Sequence, residues 1–330
     1  MNTFQELVSY LRKKDNYILV GHEHPDPDSL GSMLGLYFGL KKMGKTCRLV
    51  SADPIPPYLS WPGLEQIEHI PTDFDPGDSC VIVLDCEPQR TGSIASKVQK
   101  AECLINIDHH ERGRGIGQIV YVDPGAAATS VIVYRLLLAL EIPLDLRIAT
   151  ALYGGIIGDT GGFRHANTTS GVFKIAAELV EYGVKPAPLA REIFSSQTYD
   201  FMRFLGFALT RLQIAAEGKL VWIAVSYDDF HDFKVVPEQT DHLVNFARMV
   251  DTAEIAMVFR EIKPGEIRLG FRANQVDVGY LARYLGGGGH KLASGATLLG
   301  NFEQIVLRVV ELAKEYLNAG EIDERNNQFT

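Results

Sequence analysis

Between residues 21 and 32 the chain reads GHEHPDPDSLGS, which sets His22, Asp26 and Asp28 directly after the apolar stretch Tyr17-Ile18-Leu19-Val20. One imidazole and two carboxylates at that spacing are donors for divalent cations at a strand end. Strand geometry turns successive side chains to opposite faces, and a tight Pro-Asp-Pro-Asp turn is one way for two acids two positions apart to converge on neighbouring cations. A surface turn with incidental acids is the plain alternative. Three further apolar runs stop on the same kinds of residue: VIVLD on Asp85, CLINIDHH on Asp108, His109 and His110, and ALYGGIIGDTG on Asp159. Gathered without counter-charge, four such carboxylates would repel one another and could not all stay ionised, so divalent metal is the economical explanation. Turn formation or helix capping accounts for one such Asp, not for the whole set.

The same runs say what must position the donors. Short continuous apolar segments read as buried parallel strands, and in open α/β sheets ligands sit outside the carboxyl ends of those strands. Periodicity predicts an opening helix over 4–12, a strand over 17–21 and a helix from Ser29 or Leu30 to Lys42, then alternating strands, turns and helices to about Gly183. Leu30, Met33, Leu34, Tyr37, Phe38 and Leu40 form an apolar stripe fit to cover a sheet. A helix over 171–182 precedes Val184-Lys185-Pro186-Ala187-Pro188, whose paired prolines mark a boundary. The expected organisation is a first domain over 1–185, a helical linker over 186–213 and a second domain over 214–330. The fold class is α/β, a mostly parallel sheet with helices on both faces, with a smaller α+β domain across a cleft.

In the second domain Leu220 to Tyr227 reads as a strand, Glu238 to Val250 as a helix, and Ala253 to Arg260 with Ile267 to Arg272 as a hairpin turning at Lys263-Pro264-Gly265-Glu266. A helix from Val278 to Leu285 runs into Gly286-Gly287-Gly288-Gly289-His290-Lys291. Consecutive glycines let backbone N–H groups converge on an anion, with His290, Lys291 and Arg272 as further donors to phosphate; a bare hinge is the alternative.

Composition narrows the class. At 330 residues the chain exceeds the usual size of one core, and with 46% hydrophobic and 22% charged residues it is an ordinary globular protein. A net charge of -9 argues against coating long nucleic acid, while short phosphorylated substrates held in a cleft stay allowed. No apolar stretch is long enough to span a bilayer, and Met1-Asn2-Thr3-Phe4-Gln5-Glu6 lacks the basic start of a signal peptide, so the cytoplasm is the expected compartment. Cys47, Cys80, Cys86 and Cys103 show no CxxC spacing and are expected as reduced, mostly buried thiols.

The ordered set His22-x3-Asp26-x-Asp28, Asp85, Asp108-His109-His110 and Gly158-Asp159-Thr160-Gly161 resembles the four motifs of the DHH phosphoesterases. The glycine stretch with His290 resembles the DHH-associated C-terminal domain of RecJ-like exonucleases and of the bacterial nanoRNase/pAp-phosphatase group. The resemblance covers about residues 5 to 318 and implies a catalytic domain over 1–185 and a substrate-binding domain over 214–330. It implies one cation on His22, Asp26 and Asp85 and a second on Asp28, Asp85, His109 and Asp159, with Asp85 bridging. Mn²⁺ is the expected ion, and hydroxide rather than a side chain the attacking group. Asp108 would orient a histidine, and His110 would either steady phosphoryl oxygens or protonate the leaving group. Arg272, Gly287, Gly288, Gly289 and His290 would hold substrate, and Arg164 would reach the phosphate being cleaved. His24 would be a bystander, and His69, His231 and His242 lie outside every motif.

Three positions depart from the family pattern. Pro27 stands where glycine is usual, Glu111-Arg112-Gly113 where an asparagine is common, and Gly158 where a polar residue often precedes the aspartate. They bear on specificity rather than on hydrolysis. The implied activity is hydrolysis of short oligoribonucleotides to mononucleotides and of 3′-phosphoadenosine 5′-phosphate to AMP and phosphate. A cyclic di-AMP or linear pApA phosphodiesterase is the near alternative. Inorganic pyrophosphatases share the first-half motifs but carry an Arg-Lys-Lys cluster that is absent here. A noncatalytic nucleotide- or tRNA-binding module is the alternative of another class, and the complete ligand set speaks against it. Neither a membrane nor a long duplex is an expected partner, and a homodimer stays open.

Overall fold

The computed structural model describes residues 2–56, 59–70, 72–110, 116–195 and 198–319. The chain divides into two compact units, Met1–Ser196 and Gln197–Thr330. The first contains α1 (Phe4–Lys13), β1 (Tyr17–Val20), α2 (Pro27–Lys42), β2 (Cys47–Ser51), β3 (Ile67–His69), β4 (Cys80–Leu84) and α3 (Ala95–Val98). It continues with β5 (Cys103–Asp108), β6 (Ile119–Val122), α4 (Thr129–Ala139), α5 (Leu146–Asp159), α6 (Ser170–Glu181) and α7 (Pro186–Ser195).

Six strands form one sheet in the order β3-β2-β1-β4-β5-β6, and every pairing is parallel. The central strands are apolar at each position because both faces are covered: Tyr17 and Leu19 of β1 pack into one core, Ile18 and Val20 into the other. The first core takes in α2, α4 and α5; the second is thinner, closed by Phe74, Ile94 and Val98. From β1 the chain moves outward to β2 and β3, then crosses back to β4 beside β1 and runs outward the other way. That reversal opens a crevice at the carboxyl ends of β1 and β4, the place where open α/β sheets bind ligands.

Several boundaries differ from expectation. The run ending on Asp159 is the helix α5, not a strand; it is buried on nearly all sides, so its apolar residues show no helical stripe, and its 14 residues are helix length. Helix α2 starts at Pro27 because Asp26 caps it, its carboxylate accepting from the Asp28 and Ser29 N–H groups at 3.0 and 2.9 Å. Cys80 and Cys103 face each other across β4 and β5 and form a disulfide, against the expectation of reduced thiols; Cys47 and Cys86 are free and buried. Residues directly paired in register bring their Cβ atoms together. The stretch expected as a linker is split, α7 joining the first unit.

The second unit runs α8 (Tyr199–Thr210), β7 (Gln213–Ala215), β8 (Leu220–Val225), α9 (Tyr227–Phe233), α10 (Leu243–Arg248), β9 (Ile255–Lys263), β10 (Glu266–Ala273), α11 (Val278–Tyr284), β11 (Gly288–His290), β12 (Ala293–Leu299) and α12 (Phe302–Ala319). Its sheet has the order β11-β12-β10-β9-β8-β7 and is mixed, with β8 and β9 parallel. The helix expected over 238–250 is a short turn followed by α10. Among the described residues no helix is long and apolar enough to cross a membrane.

Glycines let α2 and α5 touch: a Cβ on Gly31 would collide with the Ala151 carbonyl, and one on Gly155 with Ser130 Oγ and Asp28. Gly31→Ala should therefore cost about 1–3 kcal/mol in denaturant unfolding. Gly206→Ala, at an open position on α8, should be neutral or gain about 0.5–1 kcal/mol.

Candidate metal centre and active site

Four carboxyl ends converge on the crevice. His22 lies two residues past β1, Asp26 and Asp28 open α2, Asp85 follows β4, His109 follows β5 and Asp159 ends α5. Asp85 sits at φ 66°, a left-handed conformation unusual for a residue with a Cβ, while its N–H still continues the ladder to Ile107 O at 3.0 Å. Such strain persists only where surrounding structure fixes it and is found at functional sites.

Among the described residues three sets of donor atoms lie within 4.8 Å of one another: His22, Asp26 and Asp85; Asp28, His109 and Asp159; and Asp85, His109 and His110. His22 Nε2 is 3.5 Å from Asp26 Oδ1 and 3.7 Å from Asp85 Oδ2, and His109 Nε2 is 3.5 Å from Asp85 Oδ1 and 3.0 Å from Asp159 Oδ2. The two oxygens of Asp85 thus face two different imidazoles. Each imidazole has its Nδ1 against a backbone carbonyl, Glu23 O at 2.6 Å and Ala126 O at 3.1 Å. Donation from Nδ1 leaves the Nε2 lone pair turned into the cluster, the arrangement that fixes a metal-ligating histidine. Oxygen and imidazole donors in these groups suit a divalent first-row or alkaline-earth cation.

Asp28 is fully buried and is held by the start of α4, accepting from the Thr129 N–H at 2.6 Å and the Ser130 N–H at 2.9 Å. The positive end of the helix offsets its charge. The Thr129 hydroxyl donates to Asp85 Oδ1 at 2.9 Å. Sequence reasoning missed Thr129, which sits in the bland run Ala126-Ala127-Ala128-Thr129-Ser130 and carries no spacing signal. Asn167 was also missed; its amide donates to the carbonyls of Asp159 and Ala127, tying the α5 end to the approach to α4.

Asp108 does not enter the main groups. Its Oδ1 accepts from the His109 and His110 N–H groups and lies 2.7 Å from His110 Nδ1, so it aims His110. His24, at φ 55°, is an exposed ring anchored by its N–H to Asp53. Gly158 explains itself against Pro27, for a Cβ there would lie 2.7 Å from the proline Cβ. Glu111, Arg112 and Gly113 fall outside the described residues. Arg164 donates from Nε to Gly161 O at 2.6 Å.

In the second unit Arg272 and His290 are both paired with Ala293, from opposite sides of β12. Directly paired residues share a face, so the two side chains project together about 9.5 Å apart, two strand spacings. Burial lowers the Arg272 guanidinium pKa, and Arg248 and Arg260 nearby add to the effect. The glycines form no open anion nest: Gly288, Gly289 and His290 make the edge strand β11, where successive N–H groups point to opposite edges. Gly287 has no room for a Cβ against Gly295 O.

Protonation follows from crowding. Burial pulls the His22 imidazole down, but Asp26 and Asp85 outweigh it and hold its pKa up at about 11; at His109 burial is likewise outweighed, chiefly by Asp159, giving about 10. Burial pushes Asp28 up, with Asp85 and Asp159 adding to it, and burial also raises Asp85. At Asp26 and Asp108 burial is overcome by His22 and His110 respectively, and both fall below the usual carboxylate range. The metal-free protein therefore carries protons that a cation must displace. Groups raised from 6.5 stabilise fully below that pH and lose the contribution as pH rises. The melting temperature of metal-free protein should fall between about pH 7 and 10 and flatten with saturating divalent cation; a rise would contradict the cluster's electrostatics. Thr129→Val should weaken cation binding in calorimetry about tenfold, with Thr129→Ser close to wild type.

The family model described as "DHH family, N-terminal domain" matches residues 16–156. A bifunctional oligoribonuclease and PAP phosphatase of Thermus thermophilus is 35% identical over 299 residues, covering 90% of this chain and 88% of that protein. A probable bifunctional oligoribonuclease and PAP phosphatase of Streptococcus mutans is 32% identical, covering 90% of this chain and 94% of the relative. The crystal structure of an exopolyphosphatase-related protein from Bacteroides fragilis superposes with a TM-score of 0.86 at 23% identity, covering 95% of this chain and 96% of its own, and establishes the shared fold. With this sequence similarity over nearly its whole length, the chain belongs to the DHH family of phosphoesterases.

Proposed function

We propose that the protein is a dinuclear-metal phosphoesterase that hydrolyses short oligoribonucleotides to mononucleotides and 3′-phosphoadenosine 5′-phosphate to AMP and phosphate. The observation that carries this is Asp85, whose two oxygens face the separate imidazoles of His22 and His109 and so suit a carboxylate shared by two cations. One cation would take His22, Asp26 and Asp85, the other Asp28, Asp85, His109 and Asp159, in keeping with the donor groups. Two divalent ions held there, Mn²⁺ by donor type, would supply a water of lowered pKa and offset charge on the phosphoryl group.

The remaining residues orient and protonate. Asp108 raises the His110 pKa and fixes its ring, favouring an imidazolium that donates from Nε2 to a phosphoryl or leaving-group oxygen. Arg272 and His290, sharing one face of the second unit's sheet, would be donors to a substrate phosphate; a guanidinium fork suits bidentate phosphate. Names of the relatives support this substrate class over pyrophosphate or tRNA. We expect it to act in the cytoplasm, the compartment in which substrates of that class arise.

Turnover of pAp, pApA, cyclic di-AMP, pyrophosphate and a five-nucleotide RNA under identical conditions tests the reading. With Mn²⁺ we expect pAp, pApA and the short RNA to be hydrolysed. No release from any of them, with nucleotide still bound, would leave a binding module. Asp85→Ala should abolish turnover of all substrates and lower metal content, whereas Arg272→Ala should raise KM roughly tenfold or more with metal content intact. Equal metal loss in both variants would contradict these roles.

A further inference from the structure

Beside the acid cluster the first unit contains a cavity of about 670 Å³ that the chemistry above does not use. Its walls come from Tyr153 and Ile157 of α5, from Phe163 and Arg164 in the turn after Asp159, and from Ala190 and Phe194 of α7. The volume is in the ordinary range for a small-molecule site, about 300–1,000 Å³.

Its chemistry is uniform in two respects. The walls are mostly apolar, with the rings of Tyr153, Phe163 and Phe194 among them, and the charged groups lining it are the guanidiniums of Arg164 and Arg191, with no carboxylate among the lining residues. The Arg164 guanidinium lies 5.7 Å from the Phe194 ring centre. Its Nε is spent on Gly161 O, and no described residue accepts from its two terminal nitrogens. The turn is held open at a cost. Gly161, Gly162 and Phe163 take φ of 57°, 68° and 65° in succession, and the Phe163 ring is met edge-on by Tyr153 at 6.3 Å and by a tilted Phe173 ring at 5.2 Å. A phenylalanine in left-handed conformation is strained and persists only where its surroundings fix it, as happens at functional sites. The same turn begins at Asp159, so the cavity mouth and a donor to the cation group share one short backbone segment.

We propose that this cavity holds the nucleobase of the nucleotide whose phosphate lies at the acid cluster, with Arg164 between base and phosphate. A planar ring with an adjoining anion matches aromatic rings beside guanidiniums whose terminal nitrogens no described residue engages, and stacking on aromatic faces accepts any base. The inference rests on the proposed nucleotide substrate and adds where its base goes.

Ala190→Trp fills the cavity from α7 without touching the acid cluster. Calorimetry with AMP and ribose 5-phosphate, on metal-free and Mn²⁺-loaded protein, should show AMP binding weakened at least tenfold in the variant, with ribose 5-phosphate unchanged. The KM for pApA should rise in parallel while kcat moves little. Phe194→Leu, a smaller change that keeps the fold if the tryptophan does not, should weaken AMP about fivefold. Unchanged AMP affinity in a folded variant overturns the pocket, even if wild type hydrolyses pApA as proposed. Equal loss for AMP and ribose 5-phosphate also overturns it, since the cavity would then act on the phosphate or on packing. If wild type hydrolyses none of the nucleotides yet the AMP-specific loss appears, the pocket stands and the proposed reaction falls.

Discussion

Burying carboxylates beside one another is the constraint on which the first unit turns. Asp28 and Asp85 are 0% and 2% exposed, and each would be intolerable as an isolated anion. The fold meets the cost with fixed donors: two N–H groups at the start of α4 on Asp28, the Thr129 hydroxyl and two imidazoles on Asp85. What donors do not cover stays protonated until a cation arrives. The glycines of α2 and α5 belong to the same solution, because only side-chain-free contact lets Asp28 sit where three helices meet.

Much of this was legible beforehand because metal chemistry restricts residue type. His22, Asp26, Asp28, Asp85, His109 and Asp159 stand out as acids and imidazoles at the ends of apolar runs, and the structure brings them to one crevice. The alternation of β1 and β4 with helices was readable for the same reason, since strands buried on both faces leave continuous apolar signatures. Thr129 and Asn167 were not readable, because a hydroxyl or amide that supports a ligand has no preferred spacing to it in sequence.

Errors had equally physical sources. A helix wrapped by other elements on every side loses its stripe, so α5 looked like a strand although it presents Asp159 just as well. The glycine run reads as a loop because flexibility is its visible property in sequence; in place, Gly287 and Gly289 answer the close approach of a neighbouring strand. Cysteine pairing is a matter of register, and Cys80 and Cys103 are matched only once β4 and β5 are laid side by side.

The close approach of Gly158 to Pro27 couples the two ends of the acid cluster. A Cβ at position 158 would lie 2.7 Å from the proline Cβ, so the turn that opens α2 and the helix that ends on Asp159 meet with bare backbone on one side. A side chain there would wedge Asp26 and Asp28 away from Asp159, so the width of the cluster is set by a residue that donates nothing to it.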